Sequence, residues 1–106
     1  MDLMIQSTLA ESVEGGVLLD VTADDLNVRA YVVISPIDLS VVEKLVPATV
    51  FESGAQVHVA GIKQGTDVAE EVIQILENMS PQDIVVYLCE DALAYGETLS
   101  VLGIKH

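Results

Sequence analysis

The chain is 106 residues long and 51% apolar, with 17 acidic against 4 basic side chains and a formal net charge of −13. That length makes one domain, 1–106, in which folding removes only about 60–65% of the unfolded surface from water, so stability rests on a well-filled core and some apolar surface remains for contact between subunits. The acidity repels phosphate backbones and anionic headgroups, which are bound by clustered Lys or Arg; the chain has only Arg29, Lys44, Lys63 and Lys105, so nucleic acid and membrane are not expected partners.

From Leu3 to about Ile34 the signals are strand and turn: LMIQSTLAES, then Gly15-Gly16, VLLDVTA, the Asp24-Asp25 corner and NVRAYVVI. Gly-Gly between two β-prone runs is a hairpin signal because both residues accept positive φ. Residues 1–34 therefore read as a three-stranded antiparallel meander. Its first strand sets Leu3, Ile5 and Leu9 against Asp2, Gln6, Thr8 and Ala10, and so has at least one wet face.

After Ser35, helix and strand alternate. Ser35-Pro36 reads as an N-cap followed by a proline at the first helical position, with Asp38 able to reach back toward the cap. Ile37, Val41, Val42 and Leu45 recur at helical spacing and Pro47 stops the run after Val46, which predicts a helix over 36–46. AQVHVAGI reads as the next strand. A helix follows Gly65, with Thr66 as its cap and Asp67, Glu70 and Glu71 at the positive end of the dipole. Val68, Val72, Ile75, Leu76 and Met79 lie on one stripe, and Ser80-Pro81 marks the end. DIVVYL runs apolar without alternation, as a strand buried on both faces does. The last helix is capped by Asp91, carries Leu93, Leu99, Val101 and Leu102, and stops at Gly103, a left-handed C′ position. Each crossover helix returns the chain in the same direction, so the strands near 28–34, 55–61 and 84–89 are expected to pair in parallel. The fold class is α/β, bordering on α+β: an N-terminal antiparallel β-meander (1–34) followed by αβαβα (35–106), forming one mixed sheet with helices packed on it.

Open parallel sheets bind ligands beyond the carboxyl ends of their strands. This directs attention to Ser35, to the loop Gly61-Ile62-Lys63-Gln64-Gly65-Thr66, and to Cys89-Glu90-Asp91. Ser35, Gly61, Lys63, Gly65 and Thr66 form a candidate ligand set, since glycines four apart ahead of a helix can present amide N–H groups to a small anion and Lys63 adds a positive charge. The same glycines also serve a tight strand-to-helix connection. The loop lacks the Gly-Lys-Ser/Thr ending of a P-loop, and Asp67, Glu70 and Glu71 oppose a phosphate. Cys89 is the candidate catalytic thiol: the helix behind it lowers a thiol pKa, Glu90 and Asp91 raise it, and no second cysteine or neighbouring histidine assists it. The plainer reading of Cys89 is a packed small residue. His58, between Val57 and Val59, reads as a half-buried histidine bonded to a backbone or hydroxyl group, and His106 is terminal. Asp20, Asp24 and Asp25 lack the alternating ligands and internal glycine of a calcium loop, so no metal is expected. Nor is a cofactor, and 3 Tyr, 1 Phe and no Trp make no stacking platform.

No stretch approaches the roughly 18 continuous apolar residues of a membrane span, Met1-Asp2 leads into neither a basic nor an apolar leader, and one cysteine cannot form an intrachain disulfide. The expectation is a non-catalytic cytoplasmic domain that acts by association, as a homo-oligomer, a subunit or a regulatory domain with a protein partner. The competing expectation is a small-molecule or sulfur-handling site built from Lys63, its glycines, Ser35 and Cys89. That requires those residues to meet around one pocket.

Overall fold

The β-prone runs before Ser35 form the antiparallel part of a five-stranded mixed sheet in the computed structural model, which describes residues 4–104. The meander comprises β1 (Ile5–Val13), β2 (Gly16–Ala23) and β3 (Leu26–Ile34). The expected start of β1 at Leu3 lies outside the described residues, as do Lys105 and His106. Of the Gly-Gly pair only Gly15 takes positive φ, at +81°. Gly16 is required for close approach instead, because a Cβ there would collide with the Val32 carbonyl and press on the Val33 Cα; its absence lets β2 lie against β3. The second corner turns on Asp24, at φ +53°, a conformation that Asp tolerates better than most residues with a Cβ.

The remaining chain supplies α1 (Leu39–Leu45), α2 (Ala48–Glu52), β4 (Val57–Ile62), α3 (Val68–Glu77), β5 (Ile84–Cys89) and α4 (Ala92–Val101). The strand order is β1-β2-β3-β5-β4, with β5 parallel to both of its neighbours. The connection from β3 steps outward past β5 with α1 and α2 on one face, and the connection from β4 steps back with α3 on the other. Reversing both direction and face keeps the same hand, as parallel crossovers require. Under α3 and α4 lie Leu19, Val21, Val32, Val85 and Tyr87, joined by Val68, Val72, Leu76 and Met79 of the expected stripe. Under α1 lie Leu18, Tyr31, Val33, Val86 and Leu88. All six residues of β5 are buried, as its unbroken apolar run predicts; each fully buried Val, Leu or Ile side chain stabilises the fold by roughly 1.5–3 kcal/mol.

Several local expectations are corrected. Ser35 does not cap α1: its N–H donates to the Cys89 carbonyl at 3.0 Å, which keeps it in the sheet ladder, and its hydroxyl donates to the Pro36 carbonyl. The cap is Asp38, whose Oδ1 accepts from the Ser40 N–H at 2.9 Å, so the helix starts at Leu39 rather than 36. Thr66 likewise yields to Asp67, which accepts from the Glu70 N–H, while the Thr66 hydroxyl donates to the Lys63 carbonyl. Pro47 ends α1 as expected but also opens α2, five residues long and too short to show a period in the sequence. α3 stops at Glu77, three residues before Ser80. Asp91 does cap α4 by accepting from the Ala94 N–H, and Gly103 has φ +85°. Leu93 is 60% exposed rather than packed.

Candidate functional site

β3 and β5 are neighbours, yet β3 leads to α1 on one face and β5 to α4 on the other. A sheet whose connections part in this way opens a crevice at the carboxyl ends of the two strands. Here it is a cleft of about 390 Å³ lined by Ile34, Ser35, Pro36, Ile37, Lys63 and Glu90. Ser35 and Lys63 thus meet as the ligand reading requires. Gly61 lies within β4 and contributes by having no side chain, since a Cβ there would sit 2.5 Å from Ile37 Cδ1. The glycine gives Ile37 its seat beside the cleft.

The rest of the candidate set goes elsewhere. Gly65 takes φ +89° in the turn before α3, and Thr66 lines a shallow hollow between the start of α3 and α4. Two of the loop amides are already engaged: the Gln64 N–H donates to Glu90 Oε2 at 3.2 Å and the Thr66 N–H to the Lys63 carbonyl at 3.5 Å. The carboxylate held there belongs to the protein itself. Lys63 makes no ion pair among the described residues, and Glu90 faces the same cleft, so the net field at its mouth is mixed rather than positive.

Cys89 is fully buried, with Sγ 3.7 Å from Thr98 Oγ1 under α4. It shares a face with Val85 and Tyr87 and does not line the cleft. Burial pushes its thiol up; the Thr98 hydrogen bond opposes this and the Asp91 charge adds to it. The helix dipole gives no net activation, because Asp91 already accepts the Ala94 N–H in the first turn of α4. The plainer reading of Cys89 is the structural one.

His58 is half-buried as expected, but its partner is a carboxylate. Its Nε2 lies 3.0 Å from Asp83 Oδ2. Asp83, which is not singled out by any motif, also accepts from the Ser80 N–H at 3.0 Å and the Gln56 N–H at 3.3 Å. The Ser80 bond first, then the His58 contact, hold its carboxyl below the usual carboxylate range against the effect of burial. The signal for it in the sequence is the Ser80-Pro81 turn with an acid just after it. This pair ties the starts of β4 and β5 together. A larger hollow of about 520 Å³ lies at the same amino end, lined by Asp20, Asn27, Arg29, Gln82 and Asp83 among others. Its one cation, Arg29, pairs with Asp20 at 3.5 Å with both side chains more than half exposed, a contact worth about 0–1 kcal/mol. The strand ends that converge on a crevice are at the opposite pole, so size alone does not make this hollow the site. Asp20, Asp24 and Asp25 do not gather, and no metal-binding group of His, Cys, Asp or Glu occurs among the described residues. No helix among them is long and apolar enough to cross a membrane.

The two edges of the sheet differ. β1 carries a bulge between Leu9 and Glu11 and charged Glu11 and Glu14 near the turn, devices that discourage a further strand. β4 runs VHVAGI with no bulge, proline or acidic or basic residue apart from His58. Its inner side is bonded to β5: the Ile84 N–H donates to the Gln56 carbonyl and the Glu90 N–H to the Ile62 carbonyl. By the parallel pattern the N–H and C=O of Val57, Val59 and Gly61 point outward, and none has a partner among the described residues.

No protein-family model, no curated protein and no solved structure matches the chain.

Proposed function

We propose that the chain is a non-catalytic cytoplasmic domain that works by association with another protein chain. The observation that carries this reading is the open edge of β4, an apolar strand with its outer backbone groups unpaired among the described residues and no guarding residue. Unpaired edges of this kind are templates for pairing and are usually blunted where no partner exists. The site chemistry agrees: the thiol is buried, the histidine is tied to Asp83, and the one carboxylate that lines the cleft with Ser35 and Lys63, Glu90, already accepts the Gln64 N–H. Sedimentation velocity at micromolar concentration tests the reading, with a dimer or larger particle expected. A monomer throughout that range overturns its homo-oligomeric form and leaves only a foreign chain as the partner.

A second reading places a small molecule in the cleft at the β3 and β5 ends, and the meeting of Ser35 and Lys63 over Ile34, Pro36 and Ile37 favours it. Lys63 would fix an anionic group there, and Glu90 would oppose it. Its sulfur-handling form loses support with Cys89 on the other side of the sheet. Loss of a ligand's thermal shift on Lys63→Ala checks it.

A further inference from the structure

We infer that the partner at the β4 edge is a second copy of this chain, paired antiparallel about Val59 so that two sheets become one. The inference rests on the association reading and names its surface and register.

The register follows from which groups face outward. Val57, Val59 and Gly61 present both N–H and C=O to the open side. An antiparallel strand forms paired bonds only between residues that both face it. Centring the two-fold axis on Val59 sets Val59 against itself and Val57 of one copy against Gly61 of the other, so every outward group in both copies finds a partner. The side chains fit the same register. On the α1 face the branched Val57 meets a glycine and Val59 meets Val59, a favourable cross-strand pair. On the α3 face His58 meets Ala60, leaving room for the ring that Asp83 holds.

Charge selects the same strip. Two chains of net −13 repel over most of their surface. Between Glu52 and Asp67 the chain carries no acid of its own and has Lys63, and the two carboxylates that reach this segment, Asp83 and Glu90, are held on His58 and on the Gln64 N–H. This strip lets the copies approach. Closure matters too: pairing β4 of one copy with β1 of the next would propagate a filament, but the bulge after Leu9 and the charge of Glu11 block it. Self-pairing of β4 uses up the open edge and leaves only guarded edges outside. A strand pair alone falls short of the roughly 1,000 Å² that a specific dimer needs. Phe51, 47% exposed on α2, supplies more; its neighbour Val50 shares one apolar cluster with Val57 and Val59, which places α2 in the layer beside this edge.

Amide hydrogen exchange read by NMR across a dilution series tests the register. The Val57, Val59 and Gly61 amides should gain protection as concentration rises, while those of His58, Ala60 and Ile62, bonded to β5, stay protected throughout. Val59→Pro removes an N–H that β5 does not use, and should weaken the dimer at least tenfold. Should the proline variant fail to fold, Val59→Lys sets two like charges face to face and serves the same purpose. A dimer that survives these substitutions with the outer amides unprotected overturns the inference and leaves the association reading standing. A wild-type monomer at every concentration, whose outer amides also stay unprotected when a different chain is added, overturns both. Protection that appears only when a different chain is added rejects the second copy in favour of a foreign strand.

Discussion

Replacing Cys89 separates a packed thiol from a working one. Its side chain is fully buried, and Sγ lies 3.7 Å from Thr98 Oγ1, whose own proton goes to the Ala94 carbonyl at 2.8 Å. In Cys89→Ser the shorter C–O bond draws the hydroxyl back from Thr98 beyond good hydrogen-bond length. A buried hydroxyl without a partner costs about 1–3 kcal/mol, so the serine variant should lose that much in urea unfolding. Cys89→Ala, with no polar group to satisfy, should lose less than the serine variant. Alkylation of the native protein requires α4 to lift from the sheet; for a sub-global opening of about 3 kcal/mol, native labelling runs roughly a hundredfold slower than in denaturant. The pH dependence has a definite sign. Burial raises the folded-state thiol pKa, which contributes stability fully present below the ordinary value of about 8.5 and lost as pH climbs through the folded-state value. Native labelling at the rate of a free thiol, or a serine variant more stable than the alanine one, would refute the reasoning.

The geometry sets four further outcomes. Ser35→Ala should change stability by no more than about 0.5 kcal/mol, whereas Asp38→Ala should speed amide exchange in the first turn of α1, because Asp38 and not Ser35 caps it; equal effects would contradict the assignment. Gly16→Ala should cost about 3 kcal/mol or more in chemical denaturation, since its Cβ meets backbone of β3 that cannot give. Asp83→Asn should cost about 1–3 kcal/mol near neutral pH. The lowered folded-state pKa of Asp83 contributes stability present above about pH 4 and lost as pH falls through the folded value, so the variant should also flatten the acid limb of the unfolding profile. Finally, self-association should tighten as salt rises, because screening weakens the repulsion between two chains of −13 while the β4 pairing rests on backbone hydrogen bonds that salt does not screen; a dimer that loosens with salt would point to an ion-paired interface.

Much of the fold was legible because its burial follows elementary periods. The continuous run Ile84–Cys89 announced a central strand, and Val68, Val72 and Leu76 announced the buried face of α3. The caps were harder, since Ser35, Asp38, Thr66 and Asp67 are all competent N-caps. The choice fell to where each hydroxyl turns: Ser35 donates to the Pro36 carbonyl and Thr66 to the Lys63 carbonyl, while Asp38 and Asp67 accept the helix N–H groups of Ser40 and Glu70. For the cleft, the rule about strand ends was enough to direct attention to Ser35 and Lys63, which line it, because the rule depends only on where strands stop. It could not find Glu90 turned back onto the Gln64 amide, or Ile37 seated on Gly61, because those contacts depend on strand order. Nor could it choose the face for Cys89, which shares the parity of Val85 and Tyr87 and goes where α4 covers them.

The strand order links the cleft to the open edge. β5 is the last strand along the chain, yet it lies between β3 and β4. Its insertion separates the ends of β3 and β4 and sends its own helix to the face opposite α1, which creates the crevice where Ser35, Lys63 and Glu90 meet. The same insertion leaves β4 on the outside, although β4 is apolar enough for an interior position. Had β4 paired directly with β3, the acid-free strip would be covered and β5 would form the edge. All six β5 residues are buried and its Tyr87 hydroxyl donates to the Val72 carbonyl of α3, so this arrangement would expose the most apolar strand in the chain. Placing β5 centrally protects that strand and leaves the half-buried β4 as the edge available to another chain.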